Sequence, residues 1–211
     1  MVTIASWNIN SVRIRIDILK KFIEEINPDV ILLQEIKCTN DEFPDFYASL
    51  NYKLIVNGQK GKFGVATLLK KGLNFKSIEL ENEILSCESR TNFIYVDEYD
   101  LNILNVYTPN GNPIEDKKKF NFKISWLSEI KKVSTHFVNN LDNLLIAGDF
   151  NVLENKNDVL DFNNWENDAL GCIESRRIFR EIISSGLTNI VRIFKKPGTS
   201  FSYYDYQRAC W

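Results

Sequence analysis

No stretch of this sequence is long and apolar enough to cross a bilayer, and its start, MVTIASWNIN, lacks a basic segment followed by a long apolar one. A membrane or secreted protein is therefore not expected, and the expected location is cytoplasmic. Cysteine is sparse: Cys38, Cys87, Cys172 and Cys210 are widely spaced singles that form no C-x-x-C pair. With one histidine in the chain, a zinc site has too few ligands, and free thiols in a reducing compartment are the plain reading. The net charge of -2 leaves no global basic footprint of the kind that nucleic-acid binders usually show. Local basic clusters at Lys60 to Lys62, Lys117 to Lys119, Arg176 to Arg180 and Arg192 to Lys196 read, each alone, as solvated surface. Repeats, low-complexity tracts and linkers are absent, and a G-K-[ST] ending is missing from the Gly- and Lys-rich loop NGQKGKFG. A length of 211 residues with a 44% hydrophobic share fits one globular domain over 1–211.

What is present is alternation of helical and strand patterns. Val2 to Ile9 reads as a strand, and from Ile16 the residues Leu19, Phe22, Ile23 and Ile26 recur at helical spacing until Asn27 and Pro28. VILLQE, residues 30–35, is then too short for another helix, so a β-α-β unit with a parallel pair is expected. A strand begins near Val65, and Asn92 to Val96 with Leu101 to Tyr107 form a hairpin. The loop YTPNGNP follows, then a long amphipathic helix through Phe120, Ile124, Leu127, Ile130 and Phe137, which contains His136 as a surface residue. LLIAGDFN, residues 144–151, reads as a buried return strand, Glu154 to Asp168 as a long acidic loop, and Ile178 to Ile183 as a last short helix stopped by Gly186. The tail TSFSYYDYQRACW is strand-like and aromatic. The sum is an α/β architecture with mixed sheets, most simply a layered sandwich with helices outside.

Three apolar runs end on polar residues, at Asn8, at Glu35 and at Asp149 with Asn151. In open α/β sheets such strand ends are where ligands bind. Taken singly each has a bland reading, a solvated carboxylate or a turn cap; together they make one polar rim. The Glu35 carboxylate and the Asn8 and Asn151 amides are hard oxygen donors, suited to Mg²⁺ or Mn²⁺. Asp149 is then placed to orient or deprotonate a water, and Tyr107 and Asn110 to donate hydrogen bonds to phosphate. The favoured reaction class is metal-assisted phosphate-ester hydrolysis.

SWNIN, LLQE, GQKGKFGVA, NVYTPNG, GDFN and FSYYDY together, in this order and at these intervals, resemble the exonuclease III family of AP endonucleases, within the endonuclease/exonuclease/phosphatase superfamily. The resemblance covers essentially the whole chain. YTPNG and S-x-x-D-Y point to its DNA-repair branch rather than to sphingomyelinases or inositol-phosphate phosphatases. It implies a four-layered α/β sandwich with two mixed sheets flanked by helices, a monomer when full length. The implied activity is Mg²⁺-dependent cleavage of double-stranded DNA 5′ to abasic sites, with 3′-5′ exonuclease and 3′-phosphatase activity at 3′ ends. By the same resemblance Glu35 matches the metal ligand and Asn8 its neighbour, Tyr107 a phosphate-contacting tyrosine, and Asp149 with Asn151 the pair handling the water and the scissile phosphate. Asn110, Lys60, Arg90 and Trp165 fall in family-like, substrate-binding segments, and Lys60 and the Arg176 helix would supply salt-dependent backbone contacts.

One departure accompanies the match. Family members continue beyond S-x-x-D-Y into R-x-D-[HY] and S-D-H, which supply a further Asp and the catalytic His, whereas this sequence stops at Trp211. The expectation is a C-terminally shortened chain lacking its last strands and impaired in catalysis. The alternative expectation is an inactive remnant that binds abasic DNA or is inert, and a third is a phosphatase of small phosphoesters.

Overall fold

The structure, a computed structural model, describes residues 2–195 and 201–203. They fall into two compact units, the first made of residues 2–108 and 141–150 and the second of 109–140, 151–195 and 201–203.

The first unit holds two four-stranded mixed sheets. One has the order β1-β2-β4-β3, with β1 at Ile4–Asn8, β2 at Val30–Gln34, β3 at Tyr52–Asn57 and β4 at Val65–Lys70. The other has the order β5-β6-β7-β8, with β5 at Phe75–Ser77, β6 at Thr91–Val96, β7 at Leu101–Tyr107 and β8 at Leu144–Asp149. The expected β-α-β unit is present: β1 and β2 pair in parallel, Ile4 opposite Val30, and α1 at Ile16–Ile26 connects them. The hairpin is present too, with β6 and β7 antiparallel, and β8 returns parallel to β7.

The continuous apolar run of β2 has a direct cause. Ile31 and Leu33 pack against Leu19 and Ile23 of α1, whereas Val30 and Leu32 join Ile94, Val96 and Ile103 between the sheets. With both faces covered, no polar alternation is needed.

Polar ties cross that apolar layer. Gln34 Nε2 donates to Asn105 Oδ1 at 2.8 Å, and Asn105 Nδ2 donates to the carbonyls of Leu33 and Ala66 at 3.2 and 3.0 Å. Buried amides with partners on the opposite sheet penalise any sheet register that would leave them unpaired.

β8 differs from its expected burial. It is half-buried along its length, because it is an edge strand of its sheet with β7 on one side only among the described residues. Strands β3 and β5 lie outside the sequence reading, and β3 alternates weakly, with only Tyr52 fully buried.

The second unit contains α3 at Lys117–Asn139, α4 at Ile173–Ser184 and α5 at Ile190–Phe194; α2, at Glu83–Ser86, belongs to the first. Asp116 caps α3 by accepting from Lys119 N–H. Helix α4 is 12 residues long rather than short, since its first turn, starting at Ile173, carries little of the apolar pattern. The 154–168 loop contains two 3-10 turns, Lys156–Asp158 and Phe162–Asn164. Phe162 there packs with Leu153, Val159 and Leu170, so this acidic stretch has its own small core. His136 is exposed on α3, as expected. The tail from Tyr204 on, with Asp205 and Cys210, and Lys196 lie outside the described residues. Among the described residues no helix is long and apolar enough to cross a membrane.

Candidate active site

In the first unit three strand ends meet. Asn8 closes β1, and its Nδ2 donates to Glu35 Oε1 at 2.9 Å and to Asp149 Oδ2 at 2.8 Å. One amide thus bridges two carboxylates that lie far apart in sequence. The backbone turns sharply where these strands end: Asn10, Ser11, Glu35 and Lys37 all have positive φ, at 45°, 84°, 54° and 55°. Left-handed backbone at non-glycine residues costs about 1–3 kcal/mol each and persists only where the surroundings enforce it. Here hydrogen bonds enforce it: Ser11 N–H donates to Glu35 O at 2.7 Å, and Asn10 N–H donates to Asn8 Oδ1 at 3.1 Å.

Lys37 completes the cluster, and the sequence reading missed it. Its ammonium lies 2.9 Å from Glu35 Oε2 and also donates to Asn10 Oδ1. The available signal was its position two residues beyond Glu35 at a polar strand end. Burial pushes the Glu35 pKa up, but hydrogen bonds from Asn8 and Lys37, the Lys37 charge and the Tyr107 hydroxyl outweigh it, and the net shift is below the ordinary 4.5.

A group with a depressed folded pKa adds stability that is complete above its unfolded pKa and is lost as the pH falls through the folded value. Lys37→Met removes two of the lowering causes. The Glu35 pKa should then rise, and the acid limb of the stability profile should move to higher pH. Carboxyl-carbon NMR titration in metal-free buffer, with urea midpoints measured from neutrality down through the ordinary Glu range, reads both; an unmoved acid limb would remove Lys37 from this account.

Tyr107 ends β7, is 8% exposed and hydrogen-bonds Glu35 through its hydroxyl. Burial, then the charges of Glu35 and Asp149, hold its pKa far above the ordinary range, so it remains a neutral donor. Arg90 supports it. This guanidinium is 4% exposed, with its Cζ 3.8 Å from the Phe63 ring centre and 4.8 Å from that of Tyr107. It also pairs with Glu88 and donates to Tyr107 O at 3.2 Å. Desolvated cation-aromatic stacking of this kind is worth about 2 kcal/mol. Arg90 is thus placed to hold the tyrosine rather than to reach outward. Lys60 is exposed on the loop before β4.

The remaining candidates belong to the second unit. Asn151, two residues beyond Asp149 along the chain, is buried with φ 49°. Asn110 is exposed and accepts from Asn112 N–H at 3.1 Å. Trp165 packs on the Leu153, Val159, Phe162 and Leu170 cluster, edge-on to Tyr203 at 4.9 Å.

As a cation site, the Asn8, Glu35 and Asp149 group offers carboxylate and amide oxygens. Among the described residues no group of three or more His, Cys, Asp or Glu could hold an ion. Two carboxylates and an amide oxygen are hard donors of the kind that hold a divalent cation together with water.

Exodeoxyribonuclease III of Haemophilus influenzae is 30% identical over 162 residues, covering 73% of this chain and 59% of that protein. The chain spans between 35% and 59% of the length of three curated relatives that it matches. Among solved structures, an AP endonuclease from Archaeoglobus fulgidus superposes with a TM-score of 0.89 at 26% identity, over 98% of this chain and 79% of that one. The Neisseria 3′ phosphatase NExo, bound to a product DNA hairpin, gives 0.87 at 25% identity, over 100% of this chain and 81% of that one. The α/β fold with two mixed sheets and helices is that of these AP endonuclease neighbours. The model of the Endonuclease/Exonuclease/phosphatase family matches residues 5–210, and the chain belongs to that family.

Proposed function

We propose that this chain hydrolyses phosphodiester bonds of double-stranded DNA in base-excision repair, cutting 5′ to abasic sites and acting on 3′ ends as exonuclease and phosphatase, with Mg²⁺ as the ion. The observation that carries the proposal is the Asn8 amide joining Glu35 and Asp149 across strand ends. The ion, when bound, would supply Lewis-acid stabilisation of charge on the phosphate oxygens, with Glu35 as its principal protein ligand and Asn8 beside it.

The chain's own groups do the rest. Asn8, with one N–H on each carboxylate, fixes both in direction, and its hydrogen bond helps hold the Glu35 pKa below the ordinary value. Asp149 then presents a carboxylate that orients the attacking water and accepts its proton. Tyr107, neutral and held by Arg90, donates to a phosphate oxygen, and in the second unit Asn110 and Asn151 are amides of the kind that hydrogen-bond phosphate. The exposed Lys60 and Lys62 contact the DNA backbone, which makes affinity fall as salt rises. Trp165, beside Tyr203, offers an aromatic surface to the abasic nucleotide.

A duplex carrying one abasic site, incubated with Mg²⁺ or with EDTA, tests the reading. A single cut 5′ to the lesion with Mg²⁺ and none with EDTA is expected. Metal-independent cleavage, or turnover of a soluble phosphoester without any DNA cleavage, would overturn it.

A further inference from the structure

The second unit buries a charge that the site described above does not use. Lys123, in α3, is 0% exposed. Its ammonium donates to three backbone carbonyls, Asn110 O at 3.1 Å, Asn151 O at 2.6 Å and Ala169 O at 2.6 Å. An ammonium has three N–H donors, and these three carbonyls are acceptors for it. They come from three separate loops, those of residues 109–116, 151–155 and 165–172.

The surroundings are built around this side chain. Gly111 sits directly over its stem, and a Cβ there would fall 2.6 Å from Lys123 Cδ. Asn112 ties two of the loops a second time, its Nδ2 donating to both oxygens of Asp168 at 3.0 and 2.9 Å and its Oδ1 accepting from Ala169 N–H at 2.9 Å. Ser175 Oγ also donates to Ala169 O, at 2.6 Å.

A buried ammonium costs several kcal/mol of desolvation, which is recovered only while all of its acceptors are in place. Any loop that moves away takes one of these acceptors from the buried ammonium. Lys123 therefore penalises independent motion of the three loops more strongly than a neutral side chain would. Pulling the Asn110 and Asn151 carbonyls inward also fixes the backbone from which those two amide side chains project.

We propose that Lys123 is a positioning residue that clamps the Asn110 and Asn151 loops to α3 and so sets the two amides for the phosphate; its catalytic half rests on the function proposed above. The step it assists is the chemical one, because misplacing a contacting group lowers kcat more than it lowers binding.

Lys123→Met and Asn151→Ala, alone and combined, in the full chain, test this by amide hydrogen exchange and by steady-state incision kinetics. In Lys123→Met, exchange in segments 109–112, 151–155 and 169–172 is expected to rise about tenfold or more, with the sheets of the first unit unchanged. The kcat is expected to fall roughly 10- to 100-fold with KM within about twofold. The double variant is expected to lose less than the product of the two single losses, because both substitutions act through the Asn151 loop while Lys123 also sets Asn110. Multiplicative losses in the double variant, or a loss confined to KM, would overturn the catalytic half, and uniform exchange would overturn the clamp. Where Lys123→Met does not fold, Lys123→Gln, which keeps an amide donor, replaces it in the same measurements. If the unaltered protein shows no Mg²⁺-dependent incision, the reading of function fails, and the exchange data alone decide the clamp.

Discussion

Asp149→Asn is expected to lower kcat for incision of an abasic duplex by about 10²- to 10⁴-fold, the range that a positioned general base contributes. The substitution is nearly isosteric, and the new amide can turn its oxygen toward Asn8 Nδ2, which now donates to Asp149 Oδ2 at 2.8 Å. What is lost is the carboxylate oxygen proposed to take the proton of the attacking water. Thermal melting should therefore stay close to that of the unaltered protein while single-turnover cleavage collapses. A fall of less than about tenfold with melting unchanged would show that Asp149 is not the base.

Gly148→Ala is expected to be the most damaging substitution for stability. Gly148 lies within β8 at φ +144°, and a Cβ on it would fall 2.0 Å from Val106 O and 2.9 Å from Val106 C and N. These atoms are backbone of the parallel neighbour β7, where Val106 is opposite Gly148, so no side-chain rotation relieves the collision. The strands must separate or β8 must shift. We expect a loss on the order of 3–5 kcal/mol, a large share of the ~5–15 kcal/mol of a typical domain.

Gly72→Ala is the control, since Gly72 has φ +104° with nothing within 4 Å of the added Cβ. It suffers backbone strain without collision. Guanidinium unfolding midpoints of the two variants separate these contributions, and equal losses would contradict the close approach at Gly148. Because Asp149 is the next residue, the same shift of β8 would also pull its carboxylate away from Asn8.

The expectations met by the structure share a physical basis. The β-α-β unit was legible because α1 puts Leu19 and Ile23 on one stripe, and β2 is apolar on both faces since both are covered. The turn after β7 was legible from Pro109 and Gly111, and the polar strand ends from the abrupt change at Asn8, Glu35 and Asp149. Helix α4 read as too short because its first turn lacks apolar periodicity, although Ser175 in that turn is fully buried. Strand β3 went unread because it is mostly half-exposed and its one fully buried residue, Tyr52, begins it. Each of these elements follows, or fails to follow, from periodicity within about a dozen residues, and this is the range over which a linear pattern carries information.

The sequence by itself determined the elements, the polar character of the strand ends and, through its ordered motifs, the family. It could not determine that Asn8 bridges Glu35 and Asp149, because that contact joins residues 141 positions apart and depends on how the two sheets face each other. Nor could it show that Lys37 shares the Glu35 carboxylate, that Arg90 is stacked on Tyr107, or that Lys123 is buried under three loops. A lysine or arginine in a linear pattern looks solvated, since burying a charge is favourable only when partners from distant segments arrive together. Those partners are set by tertiary structure alone, and it is there that the polar strand ends became a site.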